Sequence, residues 1–163
     1  MELRIQYAKT AVGTVVGAIQ GKEDEMEISE ATWQFFQQHL GYSDEEMALF
    51  RANPRNADVL TTGPALIRKT IVAEVVESHG CNSQHKVGDR FLFDGAGNLL
   101  TAKNPERICM GALYPLGPLV YAVSELHYAG ADPNALRFNR TGCFDVGVRC
   151  GGWGRVVMEV RVE

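Results

Sequence analysis

The spacing of apolar residues changes at Thr70, and the change divides this 163-residue chain into a helical front and a sheet-forming remainder. Before it, Ser29 stands as an N-cap ahead of Trp33, Phe36 and Leu40 at helical spacing, and Gly41 ends the helix. Ser43-Asp44-Glu45-Glu46 is a capping box for a second helix with Met47 and Phe50 on its apolar stripe, stopped by Asn53-Pro54. A short helical piece is expected over residues 54–60, and Gly63-Pro64 opens one more turn. From Thr70 the chain is β-branched and partly alternating through Glu77, the signature of a strand. Arg90-Phe91-Leu92-Phe93 reads as a second strand that turns at residues 94–98 toward Leu99-Leu100 as a hairpin. Residues 145–148 and the cleanly alternating 155–162 read as two more, around a Cys150-Gly151-Gly152-Trp153-Gly154 turn.

Between these strands, Asn104-Pro105-Glu106 has the chemistry of a helix start: a capping side chain, proline at the first position and an acid near the amino end. That helix is expected to run to about Tyr128, bent or broken at Pro115 and Pro118, with Gly130 closing it. The expected architecture is therefore α+β: a small antiparallel sheet packed with a proline-kinked helix, preceded by an α-helical N-terminal extension. Residues 1–28 form an arm and linker, with 12–19 as a strand or appended arm and the polar GKEDEMEI as the linker. Residues 29–69 form the helical extension, and residues 70–163 the α+β core domain.

Charge excludes one class of partner. Sixteen basic residues against twenty acidic give a net charge of −4 and a pI near 5.6, which lacks the basic footprint of phosphate-backbone binding, so no nucleic acid is expected. No membrane span is expected either, because the longest apolar stretch, residues 108–123, is interrupted by Gly111, Pro115, Gly117 and Pro118. The first twenty residues have an early arginine and a mildly apolar centre, but Lys9 interrupts that centre and no small-x-small cleavage site follows. The expected compartment is the cytoplasm, with Cys81, Cys109, Cys143 and Cys150 reduced, since a chain of this length buries enough surface to fold without cross-links.

The densest group of reactive side chains is Ser78-His79-Gly80-Cys81-Asn82-Ser83-Gln84-His85, between two strands, where loops commonly carry function. Three residues separate Cys81 from His85, so a turn brings a thiolate and an imidazole onto one metal ion, and His79 offers a further donor. Cys109 and Cys143 are two more soft donors at a distance. Zinc takes such ligands tetrahedrally; four make a closed structural site, three leave a position for chemistry. The plainer reading is that Cys109 and Cys143 are small buried hydrophobes and the histidines cap loop carbonyls. A competing reading makes Cys109, near a helix start, or Cys81, beside a histidine, a nucleophile without metal.

Other features carry less. Tyr114, Tyr121 and Tyr128 recur every seven residues and either line a pocket, near Glu125 and His127, or pack in the core, the commoner outcome. Arg137, Arg140, Arg149, Arg155 and Arg161 either hold an anionic substrate or solvate a sheet face. The Gly-Gly-Trp-Gly run lacks the strand-before, helix-after context of a dinucleotide fingerprint and reads as a tight turn.

From about residue 71 to 162 the chain resembles an uncharacterised family of small bacterial and archaeal proteins. The resemblance rests on Cys81-x-x-x-His85-Lys86-Val87-Gly88-Asp89-x-Phe91, on Ile108-Cys109 followed by Ala112-Leu113-Tyr114-Pro115, on Gly130, and on Cys143 before the terminal strands. It implies that Cys81, His85, Cys109 and Cys143 belong to one pattern, and it brings no established reaction with it. The helical extension, His79, Cys150 and the Gly-Gly-Trp-Gly turn depart from the pattern. The expectation is thus a zinc- or iron-binding protein, with a small-molecule ligand if it is a metal-dependent enzyme. The alternatives are an accessory subunit docking through its helical front, where Phe35 faces a second chain in a homodimer, and a metal-free cysteine enzyme.

Overall fold

The computed structural model describes residues 28–163, so the expectations made for residues 1–27 lie outside the described residues. The described residues fall into two compact units that divide between Pro64 and Ala65.

In the first unit α1, Glu30–Leu40, is capped by the Ser29 hydroxyl accepting the Thr32 N–H at 3.2 Å and ends at Gly41 in the left-handed conformation. Helix α2, Asp44–Ala52, carries the expected reciprocal box: Ser43 Oγ accepts from the Glu46 N–H and the Glu46 carboxylate from the Ser43 N–H. Arg51 forks onto Glu30 at 2.9 and 2.6 Å, tying α2 to the start of α1. Phe35 is half-buried and its ring stacks on His39. Leu40, expected on the apolar stripe, is exposed.

Helix α3 runs unbroken over Pro54–Ile67, not as two short pieces. An internal proline such as Pro64 costs about 3 kcal/mol in a helix. Continuing the helix carries Leu66 into a fully buried position, which offsets much of that cost at roughly 1.5 to 3 kcal/mol for a side chain of this size.

The second unit is built on a four-stranded antiparallel sheet. Its strands are β1 (Thr70–His79), β2 (Arg90–Asp94), β3 (Arg140–Gly142) and β4 (Arg155–Val162), in the order β2-β1-β4-β3. Period-two alternation sends Ile71, Ala73, Val75, Phe91, Phe93, Val156, Met158, Val160 and Val162 to one face. A bulge between Val75 and Glu77 shifts the β1–β4 register. The other layer of the core comes from Ala112 in α4 (Met110–Leu113), Leu116 in the following 3₁₀ turn (Tyr114–Leu116), and Val120 and Val123 in α5 (Gly117–Tyr128). The fold is thus α+β as expected.

Three local expectations are corrected. No helix starts at Asn104, whose side-chain amide instead clips β2 by bonding both backbone groups of Leu92 and the Leu100 carbonyl. Helix begins only at Met110, and the prolines divide the stretch from there to Tyr128 into α4, the turn and α5, each proline standing at the start of its segment where no donor is needed. Residues 145–148 are not a strand: β4 pairs with Arg140–Gly142, and the hairpin beyond β2 is reduced to one bridge, Phe93 to Leu99. The late arginines pair across the exposed sheet face, Arg140 with Glu159 and Arg161 with Glu74 and Glu163. No helix among the described residues is long and apolar enough to cross a membrane.

Candidate functional site

Three separate segments meet at the end of the sheet where β1 stops and β4 begins. The first leaves β1 through Gly80, whose φ of +63° suits a residue without Cβ, and turns at once. The Cys81 carbonyl accepts both the backbone and side-chain N–H of Gln84, and Gln84 itself adopts φ +63°, unusual for a side-chain-bearing residue. That turn sets His85 four residues after Cys81 with its ring 4% exposed, edge-on to Phe91. His85 Nδ1 faces the Asp89 carboxylate at 3.8 Å, while Nε2 accepts the backbone N–H of Cys109 at 3.4 Å.

The second segment is the residue before α4. Cys109 is the N-cap, not a residue inside a helix as expected from sequence. Its thiol is held below the usual range chiefly by a hydrogen bond from the Ser83 hydroxyl, which burial opposes, with further help from the backbone N–H groups of Ala112 and Gly111.

The third segment is the 143–154 connection. Cys143 Sγ accepts the Val156 N–H at 3.2 Å and donates to the Asp145 carbonyl at 3.6 Å. The Asp145 carboxylate collects the backbone N–H groups of Gly147, Trp153 and Gly154, which folds the loop back on itself and explains why no strand forms there. Those bonds hold the carboxyl below the ordinary carboxylate range, Gly154 contributing most.

Each segment is fastened to the next. His85 accepts from Cys109, the Phe144 N–H bonds the Gly111 carbonyl at 3.0 Å, and Gly80 lies against Gly154 so closely that a Cβ on Gly154 would stand 2.3 Å from the Gly80 oxygen. The result is a cavity of about 270 Å³ lined by Cys81, His85, Cys109 and Cys143, together with Ser83 and Asp145. All four members of the sequence pattern therefore face one space. His79 is exposed at the end of β1 and does not line it, and Cys150 is exposed outside it. All four cysteines are free thiols. Among the described residues, no three His, Cys, Asp or Glu side chains stand close enough to share one ion.

The class defined by this fold and site is an α+β domain carrying a thiol- and imidazole-lined cavity at one end of an antiparallel sheet. Compared with family models, with curated proteins and with solved structures, the chain matches none.

Three contributions were not read from the sequence: the bond from Ser83 to Cys109, the role of Asp145 and the Gly80–Gly154 contact. A loop aspartate upstream of a glycine-rich turn was the available signal for Asp145, since short acidic side chains commonly bond nearby backbone amides. For Ser83 and the glycine contact, the partners lie too far apart in sequence to signal each other.

Proposed function

We propose that the protein binds one zinc or iron ion through Cys81, His85, Cys109 and Cys143. The observation that carries this reading is the convergence of these four side chains, drawn from three separate segments, on one cavity. The donor chemistry supports it. Three thiols and an imidazole form a soft set suited to zinc or iron. His85 lines the cavity with Nδ1 toward the Asp89 carboxylate, the kind of partner that orients metal-ligating histidines, while Nε2 accepts the Cys109 N–H and would release it to take an ion. The Ser83 hydroxyl and the backbone N–H groups of Ala112 and Gly111 favour the thiolate at Cys109, and Cys143 Sγ accepts the Val156 N–H. The donors stand apart in this arrangement, so the reading requires side-chain rearrangement on binding. A thiolate site of this kind suits a reducing compartment, in keeping with the cytoplasm.

With three donors engaged and one position exchanging, the ion supplies Lewis acidity for a carbonyl or a bound water, and the protein is an enzyme acting on a small molecule; with four, the site is structural. The test is elemental analysis of untagged protein. The expected result is close to one ion per chain, falling sharply in Cys81→Ser and His85→Ala. Protein that arrives without metal and takes up neither added zinc nor cobalt(II) overturns the reading.

The lowered thiol of Cys109 favours one second reading, a metal-free cysteine nucleophile. Rapid alkylation of Cys109 at neutral pH in protein that takes up no metal selects it.

A further inference from the structure

On the other side of α4 lies a second and larger cavity, about 600 Å³, within the range of small-molecule pockets. One wall is a face of α5 together with the turn before it, and the other is the glycine-rich turn after β2, residues 94–98. The floor is apolar, from Phe93, Leu99, Leu113 and Val120. The three tyrosines spaced by seven all line it: Tyr114 and Tyr121 are 67% and 75% exposed, and Tyr128 is half-buried. They are not core residues: Tyr114 and Tyr121 stand exposed, while Val120 and Val123 are the buried residues of α5.

Among the lining residues Glu125 is the one carboxyl side chain, and none is basic. It is exposed, lies on α5 between Tyr121 and Tyr128 at helical spacing, and makes no ion pair among the described residues. Tyr128 stays a neutral phenol, its acidity suppressed by burial first and by the nearby Glu125 carboxylate second. Among the described residues the groove therefore presents three tyrosine rings and one carboxylate without an ion pair over an apolar floor, and no cationic side chain lines it. An anion entering it meets repulsion from Glu125. An ammonium ion meets that carboxylate and the π faces of the tyrosines, while the floor accepts an apolar body.

We propose that the groove between α5 and the 94–98 turn is a binding site for a small organic ammonium ion with an apolar body. The aromatic faces and the carboxylate select the charge, and the floor selects a hydrocarbon portion. A polyamine, which has little apolar body, and a carboxylate ligand are both disfavoured.

The experiment is calorimetric titration of the full chain with three probes of similar size: phenethylammonium, 2-phenylethanol and phenylacetate. The expected order places the ammonium about tenfold or more ahead of the alcohol, the scale of one ion pair combined with cation–π contacts at a partly exposed site, with phenylacetate weakest. Glu125→Gln, at an exposed helical position that folds normally, lowers the ammonium to the affinity of the alcohol and leaves the alcohol unchanged. Tyr121→Ala weakens the ammonium severalfold, and the ring resonances of Tyr128 shift on titration. Equal binding of ammonium and alcohol, a preference that survives Glu125→Gln, or no ammonium binding at roughly 10 mM, weaker than the ~4 kcal/mol of a millimolar complex, overturns the proposal.

Discussion

If the cavity depends on the Gly80–Gly154 contact, a single methyl group placed there should dismantle it. A Cβ at residue 154 would stand 2.3 Å from the Gly80 oxygen, 2.5 Å from its carbonyl carbon and 2.8 Å from the His79 oxygen. Ordinary contact begins at 3.4 Å, and every clashing atom is backbone, so no side chain can turn aside. Gly154→Ala must therefore drive the start of the Cys81 loop and the end of the 143–154 connection apart by about 1 Å, several times the ~0.2 Å tolerance of a metal–ligand distance. The overpacking itself costs about 1 to 3 kcal/mol, or roughly 10 °C in Tm for a unit of this size. The expected result is a Tm loss on that scale and a 10- to 100-fold loss of zinc affinity, the range seen when ligand orientation is disturbed. Gly142→Ala is the control: it lies next to Cys143, yet its Cβ would stand 3.7 Å from the Val156 oxygen, an ordinary contact, so both quantities should stay at wild type. Differential scanning calorimetry and competitive zinc titration read the two effects. Wild-type stability in Gly154→Ala would refute the packing argument; lowered stability with unchanged zinc affinity would refute the dependence of the site on this crossing.

Three further outcomes come from the lowered carboxyl and thiol. In metal-free protein the Cys109 thiolate is stabilised by folding, so its contribution is complete above the unfolded thiol value of about 8.5 and is lost as pH falls through the lower folded value. Cys109→Ala should therefore lose more Tm relative to wild type at pH 9 than at pH 6, and Ser83→Ala should slow iodoacetamide alkylation of Cys109 at neutral pH. Asp145 also has its folded value depressed, so its hold on the loop is present above the ordinary carboxylate range and fades as pH drops through the folded value. Asp145→Ala should accelerate amide hydrogen exchange at Gly147, Trp153 and Gly154 while leaving exchange in β1 unchanged; uniform acceleration would mean that the loop does not open separately.

Elements whose signals are local were legible in the sequence. Ser29, Gly41 and the Ser43 box act within a single turn, and Arg155–Val162 carries its burial in its alternation, so each is readable from a few neighbouring residues. Asn104 failed as a helix start because a side chain able to cap a helix can equally bond a strand edge, and only the tertiary position of Leu92 decides between them. Residues 145–148 failed as a strand for a related reason: Asp145 draws in three amides from as far as nine residues away, which is stronger than the weak alternation around it. The tyrosine repeat was visible, but its orientation depended on where the proline break set the phase of α5.

The site draws on the whole second unit without being needed to hold it together. Its donors come from the end of β1, the start of α4 and the connection between β3 and β4, so an ion held by all of them ties the first strand of the sheet to the last. Small zinc modules that lack a core have metal binding and folding as one event. Here the buried face of β1, β2 and β4 and the helical layer on it contain Phe91, Leu116, Met158 and ten further residues, of which only Ala112 and Val156 line the cavity. The unit is therefore expected to fold without metal, and an ion bound as proposed would add stability in proportion to the logarithm of its concentration over its dissociation constant. The cysteines contribute little to that core, each being only half-buried at its edge. Three half-buried thiols and a buried imidazole kept at one end of a sheet that is stable without them are more readily explained by ligation than by packing.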